Sequence, residues 1–275
     1  MSSDKVQIIT TDIDGVLEVR LNRPDKHNAL DSELFARLAE VGDQLKNHPG
    51  LRAVVISGEG RSFCAGLDKD NFAKLAGGDG VDVGGSSLEP RTHGVSNLAQ
   101  YVAMVWRELP VPVIAAVQGV VFGGGLQIAL GADIRYARAD SQWSVMEIKW
   151  GLVPDMGGMV LLNELVRADR ARELCYTGRI LDGREAVDLG LATYLSEQPR
   201  EDALELAKTI AGKSPDAIRG MKRLLSNAVN PKDQAARVLL EESREQDKII
   251  GGANQIEAVH ANLVKRSPVF RDPSA

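Results

Sequence analysis

Phe122-Gly123-Gly124-Gly125-Leu126-Gln127 is the stretch of this chain whose residue types and spacing could do chemistry. The apolar run before it, Val111 to Gln118, reads as a strand, and Leu126 to Leu130 after it favours helix. That order puts three glycines at a helix N-terminus. The first turn of a helix leaves backbone N–H groups without intrahelical partners, and the macrodipole adds roughly half a positive charge. An oxyanion can be held there without any side chain. Glycine permits the close approach and unusual backbone angles that such a site needs. A plain structural turn also accounts for a glycine triplet, and these residues alone leave the two readings open. A dinucleotide site fits worse, because no G-x-G-x-x-G occurs between Gly119 and Gly131.

Other chemistry is thinly represented. Cys64 and Cys175 form no C-x-x-C pair, and His27, His48, His93 and His260 show no ligand spacing, so no metal site is expected. Cys64 reads as a small buried thiol, since nothing basic close in sequence would lower its pKa.

The elements that must position the glycines alternate between strand and helix. Val6 to Thr10, Val16 to Leu21 and Arg52 to Ser57 read as strands, and Ser32 to Leu45 as a helix with Leu34, Leu38, Val41 and Leu45 on one face, capped by Asp31 or Ser32. Leu67 to Ala76 is a short helix candidate. Val95 to Leu109 is amphipathic, and Pro110 ends it. Strands are expected again at Asp133 to Ala137 and Trp143 to Met146, which makes the class α/β. Gly77 to Gly94 is too glycine-rich to pack as an element; linker and lid are both open, with a lid over the neighbouring pocket preferred. From Asp182 onward the chain turns helical, with one strand at Leu191 to Leu195. Ser214-Pro215-Asp216 starts a helix, and further helices follow over Pro231 to Ile250 and Gln255 to Lys265.

Composition narrows the class without choosing a function. With 275 residues, 44% of them hydrophobic, the chain can bury one large core, with or without a smaller appendage. The net charge of −5 and the scattered 33 basic residues leave no footprint for nucleic acid or an anionic membrane. The opening residues lack an apolar signal core, and apolar runs are strand-sized, so a cytoplasmic location is expected.

Four segments read together are more specific. They are Asn22-Arg23-Pro24-Asp25-Lys26-His27-Asn28-Ala29-Leu30; Arg61-Ser62-Phe63-Cys64-Ala65-Gly66-Leu67-Asp68; the glycine site with Ala132-Asp133-Ile134; and Met146-Glu147-Ile148-Lys149-Trp150-Gly151-Leu152-Val153-Pro154-Asp155-Met156-Gly157-Gly158. In this order and spacing they resemble the crotonase superfamily, the enoyl-CoA hydratase/isomerase family, and Leu263 to Asp272 is similar to its C-terminal ending. The resemblance implies a spiral core of β-β-α repeats, placed at 1–199, and a C-terminal helical region, placed at 200–275, that serves oligomerisation and the acyl-CoA pocket. It also implies trimers that pair into hexamers. The implied chemistry is stabilisation of an enolate formed from an acyl-CoA thioester, with fatty-acid metabolism as the default setting.

Carried over residue by residue, the resemblance makes the backbone N–H groups of Leu67 and Gly124 an oxyanion hole. It gives coenzyme A and substrate contacts to Lys26, His27, Ala65, Asp68 and Gly123, with Lys265 and Phe270 reaching from the tail of the same chain or of a neighbouring subunit. No metal, flavin or nicotinamide is required, and coenzyme A is part of the substrate. Hydratases of the family flank an attacking water with two glutamates, but the first position here is Gln127, which cannot carry a proton near neutral pH. Glu147 matches the second and is the expected acid/base, its pKa raised by an apolar pocket. Asp155 matches an acidic position of the dienoyl-CoA isomerase branch, and either a second proton shuttle or a helix N-cap would account for it. Double-bond isomerisation is the leading reading, with Gln127 as a polar orienter. Hydration by Glu147 with Gln127 holding the water is the second, and a non-catalytic acyl-CoA binding protein the third.

Overall fold

The computed structural model describes residues 5–11, 13–69, 71, 87–229 and 232–271. Its main sheet has six strands in the order β1-β2-β3-β4-β6-β9. β1 (Val6–Thr10) pairs antiparallel with β2 (Val16–Leu21); β3 (Ala53–Gly58), β4 (Val113–Val117), β6 (Ile134–Ala137) and β9 (Tyr194–Leu195) follow in parallel. β3 and β4 are buried at every residue, as expected of parallel strands covered on both faces. A second sheet joins β5 (Val120–Phe122) in parallel to β7 (Gln142–Ser144), which pairs antiparallel with β8 (Leu181–Asp182).

The pleat divides the core. Val54, Ile56, Val113, Ala115 and Val117 join the main cluster with α1 (Ser32–Lys46), α2 (Leu98–Glu108) and α3 (Gly124–Leu130). Ala53, Val55, Ile114 and Ala116 face the other way onto Ala203 and Ala207. The Asp31 carboxylate caps α1 by accepting from the Leu34 N–H at 2.9 Å, and Leu34, Leu38, Val41 and Leu45 are its buried face. Asn97 and Gln100 form a capping box on α2.

After the second sheet come α4 (Gly158–Leu165), α5 (Ala168–Thr177) and α6 (Gly183–Asp188), then α7 (Pro199–Ala211), which supplies Ala203 and Ala207. The chain continues through α8 (Pro215–Val229), α9 (Lys232–Ile249) and α10 (Ala253–Leu263). α9 packs on α4, and α10 packs on a 3-10 turn at Glu147–Trp150. A small cluster of Leu152, Val259, Trp150, Ile249, Ile250 and Leu67 ties this C-terminal part to the walls of the site. Among the described residues no helix is long and apolar enough to cross a membrane.

Several expectations shift. Leu67 is not helical: it forms a parallel bridge with Leu30, helical backbone begins at Lys69, and the remainder of the expected 67–76 helix lies almost wholly outside the described residues. The strand expected to reach Met146 stops at Ser144, because Met146 has turned to right-handed helical angles. The glycine-rich 77–94 segment lies outside the described residues up to 86. Its described end is anchored: the Leu88 N–H donates to the Asp247 carboxylate at 3.0 Å, and Arg91 donates to Ser243 Oγ at 2.8 Å. α5 and β8 were not anticipated. α5 buries only Ala171 and Leu174 among charged residues, and β8 is two residues held by its pairing with β7.

Candidate active site

β5 delivers the glycines. Gly123 takes φ 51° to turn the chain out of the strand, and Gly124 is the first residue of α3. A second loop lies beside it, since Cys64 bridges Val121 and Leu67 bridges Leu30. The contact depends on Gly66, at φ 84°, where a Cβ would fall 2.7 Å from the Phe122 carbonyl oxygen and 3.6 Å from the Gly124 nitrogen. Ladder bonds on either side of Leu67, from Leu30 N–H to the Gly66 carbonyl at 2.8 Å and from Asp68 N–H to the Leu30 carbonyl at 2.9 Å, fix its orientation. Among the described residues neither the Leu67 nor the Gly124 N–H has an acceptor, and both residues line one cavity. Two preorganised donors of this kind stabilise charge that develops on a carbonyl oxygen.

The cavity measures about 1050 Å³, at the large end for a small-molecule site. Glu147 opens the 3-10 turn after β7 and is 8% exposed. Its Oε1 accepts from Gln127 Nε2 at 2.7 Å, while Oε2 is buried without a partner among the described residues. Burial pushes its carboxyl up to about 7, against the pull of the Gln127 donor. Asp155 lines the same cavity and is also pushed up to about 7, by burial first and then by the charges of Glu147 and Asp247. Two acids that titrate near neutrality in one pocket are suited to moving protons. The helix-cap alternative for Asp155 does not hold, because α4 is capped at Gly157 with no side-chain hydrogen bond.

Gln127 is locked. Its Oε1 accepts from the Met156 N–H at 2.9 Å and the Gly158 N–H at 2.8 Å. Backbone N–H groups can only donate, so these two bonds fix the carbonyl on their side and turn the amide toward Glu147. The expected water-holding role therefore loses its carbonyl acceptor. Gln127 instead donates to the Glu147 carboxylate.

A sequence profile described as enoyl-CoA hydratase/isomerase matches residues 11–273. The chain belongs to the enoyl-CoA hydratase/isomerase family. It is 31% identical to a peroxisomal Delta(3,5)-Delta(2,4)-dienoyl-CoA isomerase of Arabidopsis thaliana, over 96% of both chains. It is also 31% identical to a probable enoyl-CoA hydratase of Bacillus subtilis, over 89% of this chain and 91% of that one. A crystal structure of an enoyl-CoA hydratase/isomerase from Pseudoalteromonas atlantica superposes with a TM-score of 0.79 at 27% identity, covering 97% of this chain and all of that one (100%). The fold is the crotonase fold, and the protein is an acyl-CoA enzyme of that family. Identity favours neither isomerase nor hydratase.

In this enoyl-CoA hydratase/isomerase family member, Lys26, His27, Ala65, Asp68 and Gly123 all line the cavity. His27 has both ring nitrogens engaged, Nε2 with Arg61 at 2.9 Å and Nδ1 with Ser62 Oγ at 2.8 Å. Arg61 can only donate, so Nδ1 carries the proton. Asp68 is held by Arg23 at 2.9 Å. Lys265 and Phe270 are exposed and do not line the cavity of their own chain. Their tail is tied to α10, through Asn254 Oδ1 to the Arg271 N–H and Glu257 Oε1 to the Val269 N–H. Burial pushes Cys64 up to about 12, which fits an inert thiol. Among the described residues no group of His, Cys, Asp and Glu could hold a metal.

Sequence reasoning missed the wall supplied by α9: Gln246, Asp247 and, just beyond its end, Ile250. Gln246 Oε1 accepts from the Val153 N–H at 3.0 Å, and Asp247 takes the Ser87 hydroxyl at 2.7 Å. α9 is so rich in charge that its buried polar side reads like a solvated face. Only the unusual row Glu242, Gln246, Ile250 at helical spacing hinted otherwise.

Proposed function

We propose that the protein shifts the double bond of an enoyl-CoA rather than adding water to it. The thioester oxygen lies between the Leu67 and Gly124 N–H groups, and Glu147 Oε2 takes a proton from the carbon flanking the double bond. The C–H electron pair delocalises onto the thioester oxygen, and the proton returns two carbons along, so the double bond moves with no net change in atoms. Each oxyanion donor contributes roughly 3 to 4 kcal/mol, by the cost of deleting such a donor elsewhere. Asp155 serves as the auxiliary acid/base for the more distant carbon.

The observation that carries this reading is the locked Gln127. Hydration in the two-carboxylate manner needs a second proton carrier beside the water, and Gln127 spends its carbonyl on backbone and an amide hydrogen on Glu147. Isomerisation needs no attacking water, and the Glu147 oxygen that has no partner among the described residues is left to take the first proton. Hydration by Glu147 alone stays as the second reading, because a relative of equal identity is named a hydratase.

The test offers trans-2- and trans-3-hexenoyl-CoA in heavy-oxygen water and weighs the products. Interconversion of the two without oxygen uptake is expected, and Glu147→Gln should abolish it while acyl-CoA still binds. Solvent oxygen in a 3-hydroxyacyl product of the wild type would reverse the order of the two readings. Full activity in Glu147→Gln would remove Glu147 from the mechanism.

A further inference from the structure

Four consecutive backbone N–H groups, Met156 to Met159, are held alternately from two sides. Gln127 Oε1 takes Met156 at 2.9 Å and Gly158 at 2.8 Å. Glu242, from α9, takes Gly157 on Oε2 and Met159 on Oε1, both at 2.9 Å. The turn is thus gripped between a neutral side chain that also touches Glu147 and a carboxylate 85 residues away in sequence. Asp155 immediately precedes it. The grip is close: a Cβ on Gly158 would fall 2.6 Å from the Gln127 oxygen.

We propose that Glu242 is a positioning residue, which holds the Asp155-bearing turn against Gln127 and Glu147 and takes no part in the chemistry itself. Nothing in the family motifs pointed to it. Glu242 is 4% exposed, and a carboxylate with a merely structural task rarely sits so deep unless its bonds require it. Here they do. α4 begins at a glycine cap that offers no side-chain acceptor, so Gly157 and Met159 would be orphaned donors at its start, and a carboxylate there also meets the favourable end of the helix dipole. A third donor, Gln100 Nε2, binds Glu242 Oε2 at 3.1 Å.

The charges around it define what its loss would do. Asp155 faces Glu242 across the turn, Arg91 from the 87–94 segment is attracted to both Glu242 and Asp247, and Asp247 and Glu147 act on Asp155. Burial and Asp155 push the Glu242 carboxyl up, and its three donors pull it back. Removing its oxygens frees the turn.

The inference rests on the acid/base reading of Glu147 and Asp155, so two probes are needed. With trans-3-hexenoyl-CoA, Glu242→Gln should lose about tenfold or more in kcat, as a slightly misplaced acid does, with KM changed by less than about twofold. Glu242→Asp keeps the carboxyl but is one methylene shorter than the grip on Gly157 and Met159 needs, so it should lose kcat as well. The second probe is acetoacetyl-CoA, whose enolate is seen by ultraviolet absorbance without turnover, and the fraction enolised on the enzyme at neutral pH should fall in Glu242→Gln. If acetoacetyl-CoA enolises while no enoyl-CoA reacts, the proposed function fails and the enolate profile alone decides the role of Glu242. A Glu242→Gln protein that is less heat-stable but keeps the wild-type kcat makes Glu242 a structural cap only and overturns the inference. If that variant does not fold, Glu242→Asp decides: unchanged kcat overturns it, and a tenfold loss upholds it.

Discussion

Glu147 has one oxygen tied to Gln127 and the other buried without a partner among the described residues. Its carboxyl rises from 4.5 to about 7 on folding, so between those values the folded chain holds a proton that the unfolded chain has released. Stability should therefore fall as pH rises through that window, by at most about 3 kcal/mol. Glu147→Gln should raise the urea midpoint at pH of about 8 and leave it nearly unchanged near pH of about 4. A gain at both would mean that burial is not what shifts the group. Gln127→Glu sets a second carboxylate where the amide now stands, 2.7 Å from Glu147 Oε1. Two such acids share one proton, so the acid limb of the kcat profile should move up by about one pH unit or more. An unmoved limb would show that the two side chains do not touch in solution. The sequence made Gln127, Glu147 and Asp155 legible as individuals. It could not show that Gln127 faces Glu147, because that depends on two backbone donors in a turn about thirty residues away.

Elements with one clear apolar period were readable: α1 from its cap to Leu45, β3 as a continuous apolar run, and α2 up to Pro110. Those defined by tertiary contacts were not. β8 exists because β7 pairs with it, and the α9 wall is buried only because α4 and the 87–94 segment lie against it. Asn97 joins both kinds. Its Oδ1 accepts from the Gln100 N–H at 2.8 Å to cap α2, and its Nδ2 donates to the Leu88 carbonyl at 2.9 Å and Ser243 Oγ at 3.1 Å. Asn97→Ala should cost about 2 kcal/mol, the loss of a cap plus a buried hydrogen bond to the Leu88 carbonyl, which keeps Arg91 as its other donor. Urea unfolding should report this as a lower midpoint with unchanged slope. A cost of under about 1 kcal/mol would mean that the 87–94 segment is not fixed on α2 and α9 as these bonds require.

The whole chain leaves apolar surface that its own core does not cover. Leu224 and Leu225 on α8 are 72% and 67% exposed, and Phe270 in the tail is 56% exposed. Single exposed residues are ordinary, but adjacent large ones on a helix that, among the described residues, buries only Lys222 mark a contact surface. The cavity lacks Lys265 and Phe270, the two tail residues that the family resemblance assigns to the substrate. Both observations fit the expectation, carried by the family resemblance, that copies pack through this C-terminal part and a neighbour's tail reaches the mouth of the pocket. Sedimentation should then give several copies per particle, three or a pair of threes, and Leu224→Asp with Leu225→Asp should give a smaller one. Phe270→Ala should raise KM for acyl-CoA and leave kcat alone, because an aromatic contact with coenzyme A is equal in ground and transition states. A wild type that sediments as one copy, or a Phe270→Ala protein with unchanged KM, would separate the tail from the site and leave the pocket complete within a single chain.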